Sequence, residues 1–170
     1  MKNDASEAKR QQYNVRELRD ADFEKGFLET LANLSDTGGL TPAEARRFFR
    51  AMEGGPVYNV FVAVAGDGEV IGATTLLVEQ KFIHRGGLVG HIEDVVVRNG
   101  HEGKGVGGSV VRTALEKARV LGCYKVILDC KADLVDFYKK LGFIEHDVGM
   151  RIDLARPVAS SAGAKRKTAT

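Results

Sequence analysis

Cysteine is scarce: the 170-residue chain has two, Cys123 and Cys130. At the two ends of one extended strand they stand roughly 20 Å apart at about 3.3 Å per residue, too far for a disulfide within one chain. Two reduced thiols in a cytosol-like compartment are expected, with import into an organelle left open. A cysteine nucleophile would need a paired histidine, and neither thiol has an obvious one. The histidines, His84, His91, His101 and His146, show no metal-ligand spacing, so no metal is expected. A dominant charge is lacking too. The net charge of +2 is too small to argue for nucleic acid or a membrane surface as partner. No apolar run reaches about 18 residues, so no membrane span is expected. Met1 to Gln12 lacks the apolar core of a signal peptide. No internal repeat is visible.

The rest of the composition, 44% hydrophobic and 28% charged, suits one soluble domain with room for a core. Residues 1–12 read as a mobile arm, 13–155 as the domain, and 156–170 as a disordered basic tail. Tyr13 to Leu18 suits a short strand. Asp20 is a plausible N-cap for a helix carrying Phe23, Phe27, Leu31 and Leu34. Thr41-Pro42-Ala43-Glu44 is a capping box opening a second helix, with Ala45, Phe48, Phe49 and Met52 on one face. Strands are expected at Val57 to Ala65, Val70 to Val78, Leu88 to Val97 and Tyr124 to Cys130. Leu134, Phe137, Tyr138 and Leu141 share one face of a short helix. Val148, Met150, Ile152 and Leu154 alternate as a last strand. The order β-α-α-β-β-β-α-β-α-β predicts an α/β (α+β) domain with a mixed, mostly antiparallel central sheet.

The stretch His91 to Leu121 carries the chemistry. An apolar strand ends in a polar turn, Arg98 to His101. The glycine-rich Glu102-Gly103-Lys104-Gly105-Val106-Gly107-Gly108 follows. A helix then places Val110, Val111, Ala114, Leu115, Ala118 and Leu121 on one face. Free backbone N–H groups at such a helix start make an anion site, most naturally for a pyrophosphate. Gly103, Gly105 and Gly108 also satisfy the spacing of a dinucleotide fold, with Asp129 about 20 residues further on. Arg98 to Glu102 separate strand from loop, however, and too little chain follows for the βα units that fold needs. No Gly-Lys-Ser/Thr stands at the phosphate-loop spacing.

Glu102 to Gly107 resembles the acetyl-CoA motif of the GNAT acetyltransferases, Arg/Gln-x-x-Gly-x-Gly/Ala. Three further segments are similar to the glucosamine-6-phosphate N-acetyltransferase family within them: Gly90 to Val95, Gly122 to Cys130 and Phe137 to Phe143. The resemblance covers roughly residues 13 to 152. It implies the GNAT fold, with helices on both sheet faces and acetyl-CoA as cosubstrate. It also implies direct acetyl transfer to the amine of D-glucosamine 6-phosphate in a ternary complex, feeding UDP-N-acetylglucosamine synthesis, and a homodimer with shared sites and the C-terminal strand at the interface.

The resemblance also implies roles for residues. Backbone N–H groups of Asp94, Val95, Val96 and Val97 would line pantetheine and the acetyl carbonyl where this strand splays from its neighbour. Glu102 to Gly108 would hold the pyrophosphate. Glu93 and Asp94 would hold the sugar. As adjacent carboxylates they point to opposite faces of a regular strand, so one should meet the covered side. Asp129 would orient and help deprotonate the amine; by position alone it is also an ordinary strand-end turn residue. Tyr138 would steady the departing thiolate; by position alone it is also a core tyrosine. The sugar phosphate would meet Lys81, Phe82, Ile83 and His84, with Lys125 and Arg85 as further cations and Ser35 as a hydroxyl partner.

Three positions depart from the pattern. Glu102 replaces Arg or Gln, so its side chain is expected to turn away and leave binding to backbone. Leu134 replaces an asparagine near coenzyme A. Asp153 replaces an arginine, for which Arg151 on the same strand face is a substitute. A GNAT enzyme for another small amine or a protein amine stays open, as does a non-catalytic acyl-CoA binding module.

Overall fold

The computed structural model describes residues 13–154. The arm (1–12) and the tail (156–170) read from the sequence lie outside these residues. Five strands, β1 (Tyr13–Glu17), β2 (Tyr58–Ala65), β3 (Val70–Gln80), β4 (Leu88–Val97) and β5 (Cys123–Ile127), form one sheet in the order β1-β2-β3-β4-β5. The first three pairings are antiparallel and β4–β5 is parallel. Helices α1 (Phe27–Leu31) and α2 (Pro42–Met52) precede β2. Helix α3 (Val106–Val120) bridges the parallel pair, and α4 (Val135–Lys139) follows β5.

Alternation along β2 sets the two layers. Val62 faces Phe23, Phe27, Leu28 and Ala45 on the α1–α2 side. Phe61 packs with Val111, Ala114 and Ala118, and Ala63 with Val106 and Val110, on the α3 side. Both faces are therefore covered, and β2 is apolar from Val60 to Ala65. Each fully buried aliphatic side chain here contributes roughly 1.5–3 kcal/mol.

The capping box forms as expected: the Glu44 N–H donates to Thr41 Oγ1 at 3.3 Å and the Thr41 N–H to Glu44 Oε2 at 3.0 Å. The α2 stripe is only half used. Ala45 is buried and Phe49 packs on the core, while Phe48 and Met52 are 56% and 38% exposed.

Two sequence expectations are corrected. The first helix is not continuous. A 3-10 turn (Asp20–Glu24) is followed by Gly26 at φ +87° and only then by α1. Asp20 is not the cap; Asp22 is the anchor. Its carboxylate is buried and accepts from both Arg16 Nη atoms at 2.7 Å and from the Arg19 N–H at 2.8 Å. A left-handed Gly26 ends the 3-10 turn, and the Arg98 guanidinium fills the space where a Cβ would point. Leu34, assigned to the apolar face, is 49% exposed. The second correction is the last strand. Residues 144–154 are in no regular element, and Val148, Met150, Ile152 and Leu154 are 81–95% exposed. Among the described residues their alternation finds no partner strand.

Candidate active site

The site begins where β4 loses a neighbour. Pairing of β4 with β5 stops at His91–Ile127, while pairing with β3 runs on to Val97. From Ile92 onward the β5 side of β4 has no strand neighbour. Halfway along, Asp94 takes φ +52°. Register jumps there: Thr75 pairs with Glu93 and Ala73 with Val96, so Thr74 alone faces Asp94 and Val95. This is a β-bulge, and it re-aims the carboxylates. The expectation that Glu93 and Asp94 alternate as on a regular strand is therefore corrected, and both are exposed. Thr74, fully buried, fastens the bulge by donating its hydroxyl to Glu93 O at 3.1 Å. Asp94 also borders an apolar cavity of about 230 Å³ between the sheet and α1–α2, walled by Phe23, Phe27, Phe48 and Phe49.

Beyond Val97 the chain turns through Arg98–His101 into the glycine loop and α3. Gly105 caps α3 at φ +83°, a conformation costly for a residue with a Cβ. The first helical bond runs from the Ser109 N–H to Gly105 O at 3.0 Å. The N–H groups of Val106, Gly107 and Gly108 thus lie ahead of the helical ladder and face a ligand or water. A Cβ placed on Gly103 would meet nothing within 4 Å, so the loop has an open side. Glu102 folds back on its own loop: its carboxylate accepts from the Gly100 N–H at 2.7 Å, and Lys104 Nζ donates to Gly100 O at 2.8 Å.

Helix α4 closes the far wall. At Gly107 a Cβ would lie 3.3 Å from Val97 and 3.5 Å from the Phe137 ring, so α4 sits against the loop. Tyr138 is 6% exposed and stacks edge-on with Phe137 and Phe143. Burial pushes its phenol above the ordinary tyrosine value. Asp129 is exposed just past β5, close to the backbone of Gly149. Leu134 ends the 3-10 turn before α4 and is 42% exposed.

The cationic residues gather elsewhere. Lys81, Phe82, Ile83 and His84 form the β3–β4 loop at the opposite end of β4 from the glycine loop. Ten strand residues separate the two, roughly 30 Å at about 3.3 Å each. Phe82 and Ile83 are exposed, and His84, at φ +51°, stacks on Tyr124 at 4.7 Å between centroids. Lys81 Nζ meets Glu79 Oε1 at 2.6 Å, and His91 Nε2 meets Glu79 Oε2 at 2.9 Å. Glu79 is held below the usual carboxylate range by Lys81 first and His91 second. Sequence reasoning does not single out this arrangement around Glu79. The only signals are the i, i+2 spacing of Glu79 and Lys81 and the cross-strand position of His91. Lys125 and Ser35 are exposed. Arg151 is not free: its guanidinium bonds Asp153 at 2.6–2.7 Å. The chain therefore brings Asp94 to Gly108, Asp129 and Tyr138 toward one end of the sheet and Lys81 to His84 to the other, with Glu93 midway along β4, two residues from His91.

Residues 13–143 match the Acetyltransferase (GNAT) family. The chain belongs to the GNAT acetyltransferase family. Its relatives include glucosamine 6-phosphate N-acetyltransferase 1 of Oryza sativa subsp. japonica, 45% identical over 140 residues, covering 81% of this chain and 85% of the relative. A second rice protein, probable glucosamine 6-phosphate N-acetyltransferase 2, is 42% identical over 142 residues, covering 81% and 86%. The crystal structure of glucosamine-6-phosphate N-acetyltransferase from Arabidopsis thaliana superposes with a TM-score of 0.80 at 34% identity, covering 84% of this chain and 99% of that one. GNAT acetyltransferases use acetyl-CoA.

Proposed function

We propose that this GNAT acetyltransferase moves acetyl from acetyl-CoA to the amine of D-glucosamine 6-phosphate by direct attack. The product is N-acetyl-D-glucosamine 6-phosphate, a precursor for UDP-N-acetylglucosamine. The observation that carries the reading is the end of β4–β5 pairing at His91–Ile127, beside relatives that bear this activity in their names. The N–H groups along Asp94–Val97 that point away from β3 supply donors to a thioester carbonyl as charge grows on its oxygen. One such donor is typically worth about 10²–10³ in rate. The glycine loop supplies amides and a helix dipole to the pyrophosphate. Asp129 takes the amine proton or orients the amine, and Glu93 and Asp94 hold sugar hydroxyls. Tyr138, kept neutral by burial, gives its proton to the leaving thiolate. No covalent enzyme intermediate is used.

The phosphate site is proposed to be shared between two copies. Lys81 to His84 lie about 30 Å from the glycine loop along β4, and Phe82 and Ile83 are exposed there, free to meet a second copy. The exposed apolar residues of 144–154 give the second copy a surface to cover. Free Cys123 and Cys130 support a reducing, cytosol-like compartment.

The test is release of free coenzyme A with glucosamine 6-phosphate, glucosamine or a lysine peptide as acceptor. A strong preference for the phosphorylated sugar is expected. Equal rates with glucosamine would remove the phosphate site, and turnover of the peptide alone would make this a protein acetyltransferase.

A further inference from the structure

The turn Arg98–His101 hangs the coenzyme loop from the sheet, and its four backbone N–H groups are all bonded. Arg98 donates to Ile71 O at 2.9 Å, Gly100 to Glu102 at 2.7 Å and His101 to Arg98 O at 3.0 Å. These partners belong to β3 or to the turn and loop themselves. The fourth does not. The Asn99 N–H donates to Asn33 Oδ1 at 2.7 Å, across 66 residues of chain.

Asn33 lies just past α1, in the segment that runs on to Ser35. Its N–H bonds Thr30 O at 3.1 Å, and the Ser35 N–H bonds Leu31 O at 3.2 Å. Leu34 beside it is 49% exposed, so little apolar packing holds this segment. Weakly packed segments open at low cost, and a single well-formed bond then governs their order. Asn33 thus ties the stretch that carries a candidate acceptor contact to the turn that carries the coenzyme contacts.

We propose that Asn33 is a positioning residue that couples the two substrates: acetyl-CoA on the glycine loop steadies the turn, and Asn33 passes that order to residues 33–40, where the acceptor docks. Linkage makes the effect reciprocal, so bound acceptor strengthens coenzyme binding by the same factor. This rests on the glycine loop holding coenzyme A, and its acceptor half on the amino-sugar reading.

The test uses the full chain. Amide hydrogen exchange is followed in residues 33–40 and 102–108 with and without acetyl-CoA. In the wild type both segments slow, the first by about two- to tenfold, the worth of one hydrogen bond. Asn33→Asp keeps the acceptor oxygen and keeps the response. Asn33→Ala loses it in 33–40 while 102–108 is protected as before. Asn99→Pro removes the donor instead. A bonded turn with Gly100 at φ +84° third in line accepts proline at its second position, so the turn survives and the response is lost. The double variant Asn33→Ala/Asn99→Pro is expected to be no worse than either single one. In turnover, both single variants raise KM for glucosamine 6-phosphate by a similar factor with kcat little changed. Normal protection of 33–40 in Asn33→Ala, or additive losses in the double variant, would overturn the coupling. If the wild type ignored glucosamine 6-phosphate, the exchange result would still decide Asn33, and only the identity of the acceptor would fall.

Discussion

Tyr138 shows how a residue's surroundings select its chemistry. A phenol 6% exposed among Phe137, Phe143 and Ile92 loses hydration, which disfavours its anion. Burial holds the proton on through the neutral range, as the proposed donor to a coenzyme thiolate must. Tyr138→Phe should therefore lower kcat by about 10²–10⁴ with KM for acetyl-CoA near the wild-type value, read by thiol release. A raised folded value also has a stability sign. Tyr138's contribution is complete below about pH 10, the unfolded value, and is lost as pH climbs through the raised folded one. The wild type should thus lose stability more steeply than Tyr138→Phe in alkali. Glu102 is the converse, a charge whose position decides whether it harms. Bound to the Gly100 N–H, it braces the loop. Glu102→Gln retains an acceptor oxygen and removes a negative charge, so acetyl-CoA affinity by calorimetry should hold or improve. Glu102→Ala, which drops the brace, should weaken it. A large loss with glutamine would mean that the charge itself is needed.

At the level of elements, close approach and one buried ion pair set the frame. A Cβ on Gly72 would meet Val106 Cγ1 at 2.5 Å and Val96 O at 3.2 Å. The first residue of α3 therefore rests on β3 with no room for a methyl group. Gly72→Ala should cost about 1–3 kcal/mol by overpacking and should also weaken acetyl-CoA, since α3 carries the loop; Gly100→Ala, with open space around it, tests whether a loop glycine acts through conformation alone. Asp22 anchors the other layer. Burial works to raise its carboxyl, and the Arg16 and Arg19 bonds overcome this and leave it below the ordinary value. Asp22→Asn should cost roughly 3–5 kcal/mol in urea unfolding, because Arg16 is left facing an amide. A lowered folded value adds stability above the unfolded pKa near 3.9, lost as pH falls through the folded one, so the variant should show a flatter acid limb. These elements also show what could be read in advance. Strands β2 to β4, the Thr41–Glu44 cap and the glycine-led α3 announce themselves through local pattern, and the structure follows them closely. The break at Gly26 depends on Arg98, which is distant in sequence, and helical spacing runs straight through it. The bulge at Asp94 depends on register against Thr74, which alternation along one strand cannot reveal. Lys81's tie to Glu79 and His91 likewise needs the β3–β4 pairing to appear.

For the whole molecule, the decisive feature is an apolar strip without a covering among the described residues. Val148, Met150, Ile152 and Leu154 alternate as a strand would and stand 81–95% exposed, with Ile144 at 82%. Strand β5 ends the described sheet with β4 as its one neighbour, so its other edge carries unpaired backbone groups. Apolar alternation and an open edge complement each other, and a second copy offers both twice, as a twofold interface requires. The proposed dimer also lays Lys81 to His84 of one chain beside the sugar site of another. Assembly and phosphate recognition are then one property. Met150→Asp with Ile152→Asp should convert a dimer to a monomer in sedimentation equilibrium. It should raise KM for glucosamine 6-phosphate by tenfold or more, about the 1.4 kcal/mol that a lost charge-assisted contact represents, while acetyl-CoA affinity, built within one chain, stays within about twofold, well inside that 1.4 kcal/mol. Lys81→Ala in the intact dimer should reproduce the sugar defect without the dissociation. A wild-type chain that sediments as a monomer at micromolar concentration while still preferring the phosphorylated sugar would separate the two properties, and Lys125 would then be the cation to test next.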